Sequence, residues 1–339
     1  MAESLAVKYR PKEFDEVCSQ KAVIQILEKQ LSQKEVKNCY LFCGPSGTGK
    51  TTLARIYANK LNGGIGQPIE IDAASNSGVE NVRQIIKAAQ ERSLQGKYKV
   101  YIIDECHALS NAAWQAFLKC IEEPPRYTIF MFCTTDPQKI PQTILNRVCR
   151  FNITKIPTEE LKNRLLYVCK QENFTNYEAA CDYISKISNG GARDSLANLE
   201  KAAAYSTDLS LNNVLTALGN YSYNTFFELL NAFIDADQGT ILRVISNYYE
   251  AGNDLKLFVD QFLAFTIDVT KYSIFKSFEL IKIPENMKAE LDNVINIQDA
   301  TKYFTYVIDR VLDTKNMIKN DSQIRASIEV MFLRIARGQ

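Results

Sequence analysis

The chain has one histidine, His107, and none of its nine cysteines pair in a CxxC spacing. Structural zinc sites draw on closely spaced Cys and His ligands, so none is expected. The cysteines, at positions 18, 39, 43, 106, 120, 133, 149, 169 and 181, are odd in number and mostly lie inside apolar runs. They read as buried free thiols in a reducing compartment rather than as disulfides. No stretch approaches the roughly 20 apolar residues of a membrane span, and the first ten residues lack the apolar region of a secretory signal. A cytoplasmic protein without membrane contact is therefore expected. A dominant charge is missing too. With a net charge of +1, any nucleic-acid binding must come from a local arrangement of Lys and Arg. No internal repeat or low-complexity segment is evident.

What is present is ample apolar material. At 339 residues and 46% hydrophobic composition, the chain can fill two or three cores. Its first half alternates short β-branched or aromatic runs (39–43, 68–72, 99–104 and 128–133) with segments of helical period. That alternation implies a parallel sheet covered by helices on both faces. Leu53, Ala54, Tyr57, Ala58 and Leu61 form one core-facing stripe after a glycine-rich turn. Trp114, Phe117, Leu118 and Ile121 form another, which Pro124 and Pro125 end. Beyond Phe151 the strand signals fade. The composition predicts an α/β domain over 1–156, a small helical domain over 157–220 and an all-helical domain over 221–339. In the last of these, Phe226, Leu230, Phe233 and Ile234, and later Phe304, Val307, Ile308 and Val311, repeat at helical spacing.

The strongest motif is Gly44, Pro45, Ser46, Gly47, Thr48, Gly49, Lys50 and Thr51, followed by Thr52. It matches GxxxxGK[ST], follows an apolar strand and opens an amphipathic helix, the context a P-loop requires. Its glycines let backbone N–H groups turn toward phosphates, Lys50 neutralises the β- and γ-phosphates, and Thr51 ligates Mg²⁺. A second apolar strand ends in Asp104 and Glu105. Alone, an Asp-Glu pair is more often a helix cap. At this distance after a P-loop it reads as a Walker B element, with Asp104 on Mg²⁺ and Glu105 polarising the attacking water. His107 lacks any partner constellation in sequence and reads as structural or modestly regulatory.

Several segments together resemble one family. They are Lys8 to Pro11, the P-loop, residues 69–75, Ile103 to Leu109, Leu118 to Pro125 with its Glu-Glu-Pro-Pro, and Thr134 to Pro141. The chain is similar to the gamma/tau subunit of bacterial DNA polymerase III, an AAA+ clamp loader. The resemblance implies an AAA+ P-loop NTPase sheet, a helical lid and an all-α collar, with ATP and Mg²⁺ as ligands. It makes Thr135 a sensor of the γ-phosphate or the water, and Arg193 a second sensor from the lid. Arg147 becomes an arginine finger reaching a neighbouring subunit's ATP, although the family's Ser-Arg-Cys is Asn146, Arg147 and Val148 here. Tyr9, Arg10, Pro11 and Val17 match the segment around the adenine, with Ser19 where the family has glycine. Lys119 matches a DNA contact. So does the segment holding Asn76, Ser77 and Gly78, where relatives carry basic residues; there the backbone amides at a helix start, with Arg83 further on, remain to meet phosphates.

Two family features are missing. Only residues 62–67 stand where relatives carry a four-cysteine zinc module, so no zinc is expected. No long tail of the tau kind is expected beyond residue 339, and a compact core of this kind would suit a reduced bacterium or a phage. The implied partners are a sliding clamp, primer-template DNA and other loader subunits in a pentameric ring, homo- or hetero-oligomeric. Clamp contacts on the outer face of the ATPase domain are not assigned to residues. Two other readings stay open: an AAA+ branch-migration or initiator ATPase, and a non-hydrolysing scaffold subunit of the loader.

Overall fold

The computed structural model describes residues 3–93, 95–219, 223–320 and 323–337. The chain divides into two compact units, Met1–Val168 with Ser188–Glu200, and Cys169–Ile187 with Lys201–Gln339. The boundary expected at 220/221 falls on residues outside the described ones.

In the first unit the order is α1 (Leu5–Lys8), α2 (Lys21–Gln33), β1 (Cys39–Cys43), α3 (Lys50–Leu61), β2 (Ile69–Asp72), α4 (Val79–Ala89), β3 (Lys99–Asp104), α5 (Asn111–Glu122), β4 (Thr128–Thr134), α6 (Gln142–Leu145), β5 (Cys149–Asn152) and most of α7 (Thr158–Gln171). The strands form one parallel sheet ordered β2-β3-β4-β1-β5. Because side chains alternate across a strand, each central strand feeds two cores. On one face Leu41, Tyr101, Ile103, Phe130 and Phe132 pack with Val82 of α4 and with Trp114 and Phe117 of α5. On the other, Tyr40, Phe42, Val100, Ile102 and Met131 pack with Leu27 of α2 and with Leu53 and Tyr57 of α3. Two-sided burial is why β1 and β4 read as continuous apolar runs.

The four expected strands are present with small shifts: β2 begins at Ile69 rather than Pro68, and β4 runs on to Thr134. The fifth, β5, was not expected. It lies at the sheet edge, and Arg150 and Asn152 face solvent between buried or half-buried Phe151 and Cys149, so it carries too short an apolar signal to stand out. All nine cysteines are free thiols, and only Cys18 and Cys149 are not fully buried.

Helix α9 (Ala192–Tyr205) opens in the first unit; α8 (Glu178–Ile187) belongs to the second. The second unit continues with α10 (Leu211–Leu218), α11 (Tyr223–Ile234), α12 (Gln238–Glu250), α13 (Leu255–Phe275), α14 (Lys288–Val294), α15 (Ala300–Met317) and α16 (Ile324–Arg337). Its core is aromatic: Phe226 and Phe233 of α11, Phe258, Phe262 and Phe265 of α13, and Phe332 of α16 meet with ring centroids 5.4–6.4 Å apart. No helix among the described residues is long and apolar enough to cross a membrane.

Two stability outcomes follow. Phe117 is completely buried, so Phe117→Ala is expected to cost about 3–5 kcal/mol, read as a lower urea midpoint of the transition that exposes the sheet. Asp268 on α13 is buried and accepts the backbone N–H of Lys282 at 2.8 Å. Burial raises its carboxyl above the usual range, partly offset by that bond and by Lys271. A raised folded-state pKa favours the native state below the unfolded value and disfavours it once pH rises through the folded value. Asp268→Asn, which keeps an acceptor oxygen, should therefore be more heat-stable than the wild type at pH 7. The gap should close as pH falls toward 4, as scanning calorimetry at several pH values would read.

Candidate nucleotide site

A cleft of about 200 Å³ opens at the carboxyl ends of β1 and β3, lined by Ser46 to Thr52, Asp104, Glu105 and Arg193. Its floor is the loop between β1 and α3. Gly44 donates its N–H to Thr134 O at 3.1 Å, and a Cβ on Gly44 would lie 2.2 Å from Ile153 O, so only glycine fits. Gly47 and Gly49 have φ of 70° and 101°, left-handed backbone that β-carbons disfavour. Lys50 is buried, and its ammonium donates to Gly44 O at 3.0 Å and Pro45 O at 2.9 Å. The loop thus curls around a buried cation, as a phosphate cradle requires.

Thr51, in the first turn of α3, donates its hydroxyl to Asp104 Oδ2 at 2.8 Å. A hydroxyl and a carboxylate brought together across two elements form an all-oxygen pair suited to a hard divalent ion. Next to them, burial lifts the Cys106 and Cys133 thiols well above their ordinary range, so both stay protonated and add no negative charge beside Asp104.

Glu105 sits in left-handed backbone, φ 46° and ψ 41°, at a cost of about 1 kcal/mol for a non-glycine residue. Its carboxylate is fixed from two sides. Thr135 donates its hydroxyl to Oε2 at 3.1 Å, and His107 Nδ1 lies 3.3 Å from the same oxygen and 3.2 Å from Thr134 Oγ1. Thr135 therefore meets Glu105 directly. His107 has the partners that the sequence did not disclose, because Thr134 reaches it through the sheet and not through local spacing.

The segment leading into α9 lies on the P-loop. Ala192 donates its N–H to Gly47 O at 2.9 Å, and a Cβ on Gly47 would come within 3.5 Å of Arg193 Cβ. Tyr9, Arg10, Pro11 and Val17 line the far end of the same cleft with Cys18, Arg164 and Leu196. Ser19 and Gln20 both have positive φ, 65° and 63°, a backbone region that glycine adopts most readily. The Gln20 amide holds this segment by donating to Thr154 O at 2.7 Å and accepting from Thr154 N at 3.2 Å. Arg164 of α7 donates to Tyr9 O at 2.6 Å. No sequence motif marks Arg164, because its partner is a backbone oxygen 155 residues away.

Arg147 does not line this cleft. It is half-exposed, donates to Thr143 O at 2.7 Å and pairs with Glu122 at 2.8 Å. Lys119 and Arg83 are exposed, Arg83 lying 3.4 Å from Glu80. Asn76 departs from expectation. Its backbone N–H goes to Ala73 O and its side-chain amide to Asp72 O, so both serve the loop. Ser77 joins the starts of α4 and α5 by accepting the Ser110 N–H at 3.1 Å.

A family model described as DNA polymerase III, delta subunit, matches residues 67–157, and one described as DNA polymerase III subunits gamma and tau domain III matches residues 209–339. The DNA polymerase III subunit tau of Bacillus subtilis is 32% identical over 316 residues, 86% of this chain and 56% of its own length. The tau/gamma subunit of Haemophilus influenzae is 34% identical over 272 residues, 74% of this chain and 40% of its own. The chain thus spans about half the length of these curated relatives. Among solved structures, the RuvB Holliday junction branch migration motor of Thermotoga maritima superposes with a TM-score of 0.53 at 20% identity, covering 73% of this chain and 86% of that one. At that identity the likeness concerns the fold alone, a parallel sheet flanked by helices. With matches in both halves and 32–34% identity over most of its length, the chain belongs to the gamma/tau family of DNA polymerase III subunits.

Proposed function

We propose that the chain is an ATP-hydrolysing motor subunit of a sliding-clamp loader. The observation that carries this is the meeting of a complete P-loop, the Thr51–Asp104 pair and the Glu105–Thr135 pair at one sheet edge, in a chain of the gamma/tau family. On this reading residues 1–156 bind nucleotide, 157–220 form a lid and 221–339 form the collar of a five-subunit ring working in the cytoplasm.

The chemistry divides among the residues as follows. The backbone N–H groups of Ser46 to Gly49 cradle the phosphates of ATP, and Lys50 exchanges its carbonyl partners for phosphate oxygens. Thr51 and Asp104 hold Mg²⁺, which when bound offsets the charge on the phosphates. Glu105, fixed by Thr135 and His107, draws the proton side of the attacking water toward its carboxylate, and Thr135 keeps it aimed. Arg193, carried on the segment bonded to Gly47, contacts the γ-phosphate by a charge-assisted bond. Tyr9, Arg10, Pro11 and Val17 enclose the base. Arg147 reaches the ATP of a neighbouring subunit, so hydrolysis requires assembly. ATP binding then organises the ring around an opened clamp, Lys119, Ser77 and Arg83 meet the phosphates of primer-template DNA, and hydrolysis releases the closed clamp.

The branch-migration alternative draws on the RuvB likeness. Against it, residues 209–339 match a gamma and tau domain, and their described part from 211 onward contains helices without a strand.

Steady-state ATPase with clamp and primer-template tests the motor role. Arg147→Ala is expected to lower DNA-stimulated turnover by on the order of a hundredfold or more while the purified chain still binds nucleotide; unchanged turnover would remove the finger assignment. Glu105→Gln should bind ATP with near wild-type affinity yet hydrolyse it roughly a hundredfold more slowly. A wild-type chain that retains no nucleotide would instead identify a scaffold subunit.

A further inference from the structure

The Glu-Glu-Pro-Pro run that ends α5 has no part in the chemistry above. Its first carboxylate, Glu122, is the last residue of α5, where a negative charge faces the negative end of the helix dipole and weakens the helix. Its partner is Arg147, whose guanidinium also donates to Thr143 O. Both side chains are well exposed, 38% for Arg147 and 40% for Glu122, and ion pairs at that exposure add little to stability. Neither helix propensity nor fold stability accounts for an acid at this position.

We infer that Glu122 is a positioning residue for Arg147, holding the guanidinium ready for the phosphate of a neighbouring subunit. The inference rests on the finger role proposed for Arg147. An arginine on a surface samples many rotamers, and ordering it at the moment of contact opposes the interaction. Two anchors on different elements, Thr143 O on α6 and Glu122 on α5, fix the side chain beforehand. They occupy only part of the guanidinium's donor set, and the remaining N–H groups serve the phosphate. The sequence Glu122, Glu123, Pro124, Pro125 also explains the placement. The prolines stop α5 directly after Glu122, so the carboxylate stands at a helix end next to the segment that follows α6. Lys119, the candidate DNA contact, is one turn earlier on α5. A single rigid helix thus carries both a DNA contact and the anchor of the finger.

The test uses the full chain in a loader assembled with clamp and primer-template, measuring kcat and KM for ATP. Nucleotide binding by each purified variant serves as the folding control. Glu122→Ala is expected to lower kcat roughly ten- to hundredfold, the scale of a misplaced catalytic group, with KM little changed because Glu122 does not touch its own subunit's nucleotide. Glu122→Gln, which retains the acceptor oxygen, should recover most of the rate. In an Arg147→Ala background, Glu122→Ala should have no further effect. Wild-type kcat in Glu122→Ala, beside a loss in Arg147→Ala, overturns the positioning role and leaves the finger standing. A wild-type rate in Arg147→Ala removes the finger and this inference together. A full additional loss in the double variant also overturns it, since Glu122 would then act by another route. If alanine disturbs folding, Glu122→Asp keeps the charge but shortens the reach. It should lower kcat in the same way, and a wild-type rate there overturns the proposal.

Discussion

The parallel pairing of β3, β4 and β1 sets where the P-loop, the Asp104–Glu105 pair and the Thr134–Thr135 pair stand. Cys43 lies opposite Thr134, and Ile103 opposite Phe132. The P-loop, the Asp104–Glu105 pair and the Thr134–Thr135 pair therefore leave the sheet at one level. A one-residue slip would turn each strand's inward face outward. The register is protected because Leu41, Phe130 and Phe132 belong to one core and Tyr40, Phe42 and Met131 to the other. The geometry of the site is thus held by hydrophobic packing on both faces of the sheet. The hydrogen bonds at the strand ends refine a position that packing has already fixed.

Much of this was legible in the sequence because it is local. The P-loop, the central strands and the stripes of α3 and α5 each announce themselves within a dozen residues, and the helical periodicity of α11 and α15 does the same for the second unit. What was not legible depends on groups that only the fold brings together. His107 meets Thr134 from 27 residues away, and Arg164 meets Tyr9 from 155. Glu122 and Arg147 are separated in sequence by all of β4 and α6. Edge strand β5 escaped notice for another reason, since exposure relaxes the demand for apolar residues that makes a central strand readable.

The resemblance to gamma/tau subunits filled some of these gaps and left others. It suggests roles for Arg147 and Arg193, proposed above, which periodicity alone would have left as solvated surface residues. It also pointed to Asn76, where the loop built on Asp72 uses the side chain and the backbone N–H for its own closure. A motif position carried over from relatives gives a place in the fold. What the residue at that place is free to do depends on its own neighbours.

The free thiols have a consequence for handling the protein. Most are buried, and in the sheet core burial raises the thiols of Cys39, Cys43, Cys106, Cys120 and Cys133, which keeps them protonated and unreactive. That protection vanishes on unfolding, when all nine sulfurs become available for indiscriminate cross-linking. Heat denaturation without a reductant should therefore trap chains in scrambled covalent forms. Transition temperatures measured that way would depend on scan rate, and the protein's durability in air would be governed by how rarely it opens.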